Sequence, residues 1–171
     1  GGAGNVVTFP GVAGQIACNG IAYEPLHGPD GTVNRCGGTG TNISSWGGIS
    51  GIVHKTRELF LVGVFLDERE PADPAPERLD FSTSENYSTL SPLIGQVFFI
   101  GDGRSASGGA QQVTAPAAAT RLYLGFADAI GFSGAPYGYN DNNGSLQVTV
   151  AGVTPFVPGP VATGTIRRLI A

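Results

Sequence analysis

Residues 58–66, ELFLVGVFL, decide the class of fold that the chain adopts. This stretch is apolar on both faces, which is typical of a strand that is covered on both sides in a β-sandwich. Residues 121–126 and 145–150 instead alternate between apolar and polar side chains, the pattern of half-buried strands. Short strands with turn residues every 8–12 positions or so predict an all-β fold, an antiparallel β-sandwich of jelly-roll type.

Composition narrows the classes of function. The 171 residues include 28 glycines and 12 prolines, only 13% are charged, and the net charge is −4. An acidic chain without a basic stripe disfavours nucleic acid as a partner. No apolar run approaches the roughly 18 residues that a membrane span needs. The chain contains no methionine, so we expect that it is processed or excised from a longer protein.

The chain is predicted to be one β-sandwich domain, residues 1–151, with short N-terminal strands at Val6–Phe9 and Gln15–Ala17. Residues 67–91 hold seven of the 13 acidic residues and three prolines. We interpret them as a solvated insertion loop. Residues 152–171 are rich in proline, which predicts either a linker or a strand that docks elsewhere.

Cys18 and Cys36 are the two cysteines of the chain. Their loop-rich surroundings and the absence of a CxxC spacing favour one disulfide, and a pair of buried free thiols is the alternative. A disulfide, together with abundant Ser, Thr, Asn and Gly, fits an exported bacterial protein that is secreted or displayed at the cell surface.

A run of polar residues, Asn140 to Asn143 followed by Gly144, opens the strand at 145–150. One interpretation is a plain polar turn. The other is a Ca²⁺ site, since calcium prefers carboxylate and carboxamide oxygens. Asp128 ends the preceding strand, and a hairpin would bring it near Asp141 and Asn142. Two converging carboxylates repel each other unless a cation or a proton lies between them, which favours calcium.

The combination of an apolar strand, Asp128, a short loop and YNDNNGS (139–145) resembles the calcium-dependent galactose-binding (galactophilic) lectins of bacteria. HGPDG (27–31) and VFFIGDG (97–103) resemble further stretches of that family. The resemblance covers roughly residues 5–151 and is strongest over 115–151.

The resemblance implies a calcium ion bound by the side chains of Asp128, Asp141 and Asn142 and by the carbonyl of Gly138. A second carbonyl is expected from residues 19–23. Asp141 stands where the family has Asn, which adds a negative charge. In such lectins two sugar hydroxyls complete the coordination of the metal. The expected sugar-binding residues are Asp128, Ala129, Tyr137, Tyr139, Asp141 and Arg35.

The expected ligand is therefore a carbohydrate, either a galactose-type sugar or, through Arg35, an acidic one. The family's secondary contacts fall near Arg35 and Gly38, where its usual His and Gln are replaced.

No motif for catalysis is present, since the chain lacks a G-x-S-x-G elbow, an H-E-x-x-H pair and a P-loop, and we expect that it is not an enzyme. The alternative function is structural: a homo-oligomer or fibre subunit in which calcium only rigidifies loops.

Overall fold

The computed structural model describes residues 5–19, 25–153 and 162–166, and within them the chain is all-β as predicted. One short 3-10 turn, Ile130–Phe132, interrupts the strands. The strands in chain order are β1 (Val6–Ala17), β2 (Thr41–Ile43), β3 (Ile52–His54), β4 (Leu61–Leu66), β5 (Leu79–Asp80), β6 (Thr89–Leu90), β7 (Val97–Phe99), β8 (Gln112–Thr114), β9 (Arg121–Phe126), β10 (Ser133–Gly134), β11 (Asn143–Val153) and β12 (Ala162–Ile166).

These strands form three sheets, with the orders β12-β11-β1-β8-β6, β10-β2-β3-β5 and β7-β4-β9. All six residues of β4 are buried, in agreement with the apolar pattern on both of its faces. Around it lies an aromatic cluster in which Phe60 and Phe65 contact Phe99 and Phe98, respectively. The core of the molecule therefore centres on the stretch that predicted the fold.

The longest strands, β1 and β11, pair antiparallel and end at the partners Ala17 and Asn143. The two short strands predicted at Val6–Phe9 and Gln15–Ala17 are one continuous strand with a shift of register at Pro10. Proline has no N–H to donate, so it is tolerated where the ladder is already irregular. This pairing brings the end of β1 beside the start of β11.

The predicted hairpin between residues 121–128 and 139–150 is wrong. Strand β9 pairs with β4, whereas β11 pairs with β1 on one edge and with β12 on the other. Both edges of β11 are thus occupied, and β9 cannot pair with it. Residues 127–142 instead cross from one sheet to the other, and on the way β10 pairs in parallel with β2.

The acidic segment 67–91 has more regular structure than its composition indicates. It contributes β5 and β6, and Phe81 between them is buried in the core. Glu85 accepts hydrogen bonds from the Arg57 and His54 side chains. Burial of one phenylalanine and a charged network fix the segment, while most of its other acidic side chains are exposed.

Of the two alternatives for the tail, the described part is a strand, since β12 pairs antiparallel with residues 146–150 of β11. Residues 154–161 and 167–171 lie outside the described residues. In the part of the chain that the structure describes, no helix is long and apolar enough to cross a membrane.

Candidate functional site

Asp128, directly after β9, is buried with only 4% of its surface exposed. Its main-chain carbonyl accepts a hydrogen bond from the Tyr137 N–H at 3.2 Å. Its carboxylate Oδ2 accepts a hydrogen bond from Asn142 Nδ2 at 2.7 Å. The three ion pairs found among the described residues lie elsewhere. Among the described residues, Asp128 is therefore a buried carboxylate without an ion-pair partner.

Burial raises the pKa of Asp128 to about 6, and the nearby charge of Asp141 adds to the rise. The hydrogen bonds from Asn142 and from the backbone of Ala129 act in the opposite direction and do not cancel it. Without a bound cation, ionising a buried carboxylate costs free energy because burial has removed its hydration. A bound cation stabilises the ionised form and replaces that hydration.

Asn142 presents a second unbalanced group at the same place. Its Nδ2 donates to Asp128, and its other side-chain atom, the buried Oδ1, has no hydrogen-bond partner in the described part of the chain. An unpartnered buried acceptor costs free energy, on the order of 1–3 kcal/mol. A metal ligand set that includes this oxygen removes the cost.

Gly138 allows the loop to close over the carboxylate. Its φ is +92°, a conformation that side chains disfavour, and a Cβ here would lie 3.4 Å from both carboxylate oxygens of Asp128. Its carbonyl accepts the Asp141 N–H at 3.1 Å, which makes a tight turn over 138–141. The turn places Asp141 close enough for its charge to act on Asp128.

Asp128, Gly138 and Asp141 line a cleft of about 350 Å³, whereas Asn142 contacts Asp128 but is not part of the lining. Ile130 and Tyr137, 73% and 61% exposed, lie on its rim. The opposite wall comes from far away in the sequence and consists of Cys18, Asn19 and Cys36. The cleft thus combines a polar centre with an apolar rim.

The predicted disulfide between Cys18 and Cys36 is present, with the Cα atoms 5.8 Å apart. Because Ala17 pairs with Asn143, Cys18 follows β1 at the place where the polar turn enters β11. The disulfide therefore fixes the N-terminal wall of the cleft. Of residues 19–23, expected to supply a second carbonyl ligand, Asn19 lines the cleft and 20–23 lie outside the described residues.

The other predicted sugar contacts are distributed unequally. Ala129 and Tyr137 line the cleft. Tyr139 is instead largely buried, and burial raises its pKa to about 12. Arg35 is exposed and is not among the residues that line the cleft, so no lysine or arginine does so within the described residues. The geometry therefore brings together the predicted metal ligands but not the predicted cationic sugar contact.

Tyr139 faces a second, apolar cleft of about 110 Å³ together with Trp46. Trp46 and Ile49 exchange backbone hydrogen bonds of 2.9 and 3.1 Å across a two-glycine turn. This turn holds Trp46, the only tryptophan, 65% exposed. The second cleft shares the loop 136–139 with the first but contains no carboxylate.

Sequence reasoning expected residues 19–23 near the site through the resemblance alone, and it did not anticipate Ile130 or the cysteines as parts of the cleft. Asn19 lies more than 100 residues from Asp128, and no local pattern indicates that the two meet. Over the described residues, no group of three or more His, Cys, Asp and Glu side chains is arranged to hold a metal. A metal at Asp128 would therefore draw on amide and carbonyl oxygens as well as carboxylates.

Comparisons with protein-family models, with curated proteins and with solved structures found no match to this chain.

Proposed function

We propose that the protein is a calcium-dependent carbohydrate-binding module of lectin-like character, and not an enzyme. The observation that carries the proposal is the buried carboxylate of Asp128, which lines an open cleft and contacts Asn142, whose Oδ1 has no hydrogen-bond partner among the described residues. Oxygen atoms that lack partners and a carboxylate without a countercharge are what a hard cation satisfies.

The donor set fits calcium in type and in charge. Asp128 and Asp141 supply two negative charges, which balance one Ca²⁺, and the amide oxygen of Asn142 and the carbonyl of Gly138 are neutral oxygen donors. Calcium takes six to eight oxygen ligands, so coordination positions remain open for hydroxyl groups of a sugar and for the N-terminal loop. Once bound, the ion supplies a positive centre that vicinal hydroxyls can chelate.

The lining of the cleft favours a neutral sugar over a uronate. With calcium bound, the two carboxylates and the ion sum to zero charge, and Arg35 is not part of the lining. Tyr137 and Ile130 offer apolar surface against which the C–H face of a pyranose packs. Among neutral sugars we expect galactose-type sugars to bind best, because residues 115–151 resemble the galactose-binding lectins.

Titration of the ¹⁵N-labelled protein with galactose, mannose, fucose and galacturonate, with calcium and with chelator, tests this function by NMR. We expect calcium-dependent shifts confined to 128–142 and the Cys18–Asn19 wall, with dissociation constants of about 0.1–1 mM. Asp128→Asn is the variant expected to lose the response, and exposed Glu68→Gln is the charge-matched control. Calcium binding with no sugar response would refute the lectin proposal and leave the calcium site.

Two further features accompany the proposal. A disulfide persists in oxidising compartments, which supports a secreted or cell-surface location. The pairing of the long strands β1 and β11, with β4 buried in a separate sheet, supports the jelly-roll type of β-sandwich.

A structural role in a fibre or homo-oligomer is the second candidate. The observation that favours it is the position of β12 at the outer edge of its sheet, where a strand is able to pair with another chain. Size-exclusion chromatography with light scattering, with and without calcium, distinguishes the two: this candidate requires an assembly larger than a monomer.

A further inference from the structure

Glu58 is a second carboxylate that the Asp128 cleft does not use. Its side chain is completely buried, at 0% exposure, immediately before the positive-φ residue Leu59. One carboxylate oxygen, Oε2, accepts the Cys36 N–H at 2.8 Å. The other, Oε1, has no hydrogen-bond partner in the described ranges. The ion pairs of the described residues do not include Glu58.

Further oxygen atoms surround Oε1. A Cβ at Gly38 would lie 2.7 Å from Glu58 Oε1, 3.2 Å from the Gly131 carbonyl oxygen and 3.3 Å from the Gly40 carbonyl oxygen. Three oxygen atoms thus lie around the position that a side chain at residue 38 would take, and two of these are carbonyls, which cannot donate a hydrogen bond to Oε1. We call these three oxygen atoms the Glu58 pocket.

The energetic argument is one of charge. An ionised carboxylate buried without a countercharge costs several kcal/mol, even after relaxation of the surroundings. A single backbone N–H from Cys36 offsets only part of this cost. A bound cation removes it, and because the pocket carries one negative charge, a monovalent ion leaves the buried group neutral whereas a divalent ion does not.

We propose that the Glu58 pocket binds a monovalent cation, Na⁺ or K⁺, through Glu58 Oε1 and the carbonyl oxygens of Gly131 and Gly40. Cys36 and Gly131 also line the Asp128 cleft, so the Glu58 pocket lies next to that wall. The site is separate from the calcium ligands, and its occupancy stabilises the loop at 36–40 against the 3-10 turn.

Thermal unfolding with EDTA present tests the proposal while any divalent site is empty. The wild type is compared in NaCl, KCl and choline chloride at one ionic strength, because choline is too large for the pocket. A ligand that binds only the native state at ten times its Kd raises the Tm of a chain of this size by about 4 °C. We expect a saturable rise in NaCl or KCl over choline chloride, and the salt that gives the larger rise identifies the ion.

Two variants localise the effect. Glu58→Gln keeps an acceptor for the Cys36 N–H and offers its amide to the carbonyls, so it should unfold at one temperature in all three salts. Gly38→Ala keeps the carboxylate but fills the pocket, and should also lose the rise. Gly28→Ala is the matched control, because a Cβ there meets nothing within 4 Å, and it should respond like the wild type.

Three results would overturn the proposal. The first is a wild-type Tm that is equal in the three salts, and the second is a full salt response in Glu58→Gln. The third is that Na⁺ and K⁺ have no effect, while calcium stabilises Asp128→Asn and no longer does so once Glu58→Gln is added to it. The last result would assign the pocket to a divalent ion. The first two results do not bear on calcium binding at Asp128, which is measured without EDTA.

Discussion

Asp128 shows how one buried side chain makes the stability of the protein depend on pH. Its pKa of about 6 in the folded chain lies above the ordinary value of 3.8 because burial disfavours the charged form. The sequence indicated that this residue meets Asp141 and Asn142. It did not indicate the burial, which depends on packing between two sheets.

When a chelator keeps the protein free of metal, the free energy of unfolding should fall as the pH rises from about 4 to 7. The native state keeps the Asp128 proton up to pH 6 or so while the unfolded chain releases it near 4, so the native state binds more protons in this window. A shift of about two pKa units corresponds to roughly 3 kcal/mol. Urea unfolding at several pH values measures it. An identical pH profile in Asp128→Asn would contradict the assignment to Asp128.

Calcium should raise the Tm of the wild type by several degrees at saturation, since it binds the native state alone. Differential scanning calorimetry with calcium and with EDTA measures the shift. Asp128→Asn should lose it, and Glu68→Gln, which removes one exposed charge elsewhere, should keep it. If Asp128→Asn and the parent respond equally, calcium binds at some other place.

At the level of strands, the alternation of side chains predicted β9 and β11 correctly, but spacing along the chain did not reveal which strands pair. Strand β11 takes its partners from β1, over 120 residues earlier, and from β12. Since these pairings are non-local, a local hairpin was the natural and incorrect expectation. Asn142 and Asp128 are nevertheless in contact. The loop 127–142 folds back on itself, and the Tyr137 N–H donates to the Asp128 carbonyl.

Removal of the disulfide should affect both stability and calcium affinity. The double variant Cys18→Ser, Cys36→Ser opens a bridge between residues 18 positions apart. The expected loss in the free energy of unfolding is roughly 3 kcal/mol. Because both cysteines line the cleft, the calcium dissociation constant should also rise severalfold in isothermal titration well below the Tm. An unchanged calcium affinity would show that this wall does not help to position the ion.

Deletion of residues 154–171 should promote self-association. The deletion removes β12 and leaves the outer edge of β11 without a partner strand at 146–150. Such an edge pairs readily with another chain. Light scattering after size exclusion measures the mass, with the full chain as control. A monomeric deletion variant would show that the edge is protected by other means.

On the scale of the whole molecule, the all-β class and the single disulfide followed from composition and pattern, whereas the cleft depends on three distant segments meeting. One cleft of this size offers a sugar few contacts. We expect that display of the biotinylated protein on tetrameric streptavidin tightens binding to a multivalent glycan surface by about a hundredfold over the monomer. Surface plasmon resonance compares the two. Equal apparent affinities would argue against a sugar site that works through multiple copies.

The exposed hairpin of Trp46 determines which optical signals report on this protein. Indole emission normally shifts to the red when a buried tryptophan enters water on unfolding. Trp46, the only tryptophan, is already 65% exposed in the native state. Its fluorescence should therefore change little on denaturation, and acrylamide should quench it almost as well before unfolding as after. Near-ultraviolet circular dichroism from the packed Phe60–Phe99 and Phe81–Tyr87 rings will follow the loss of tertiary structure instead.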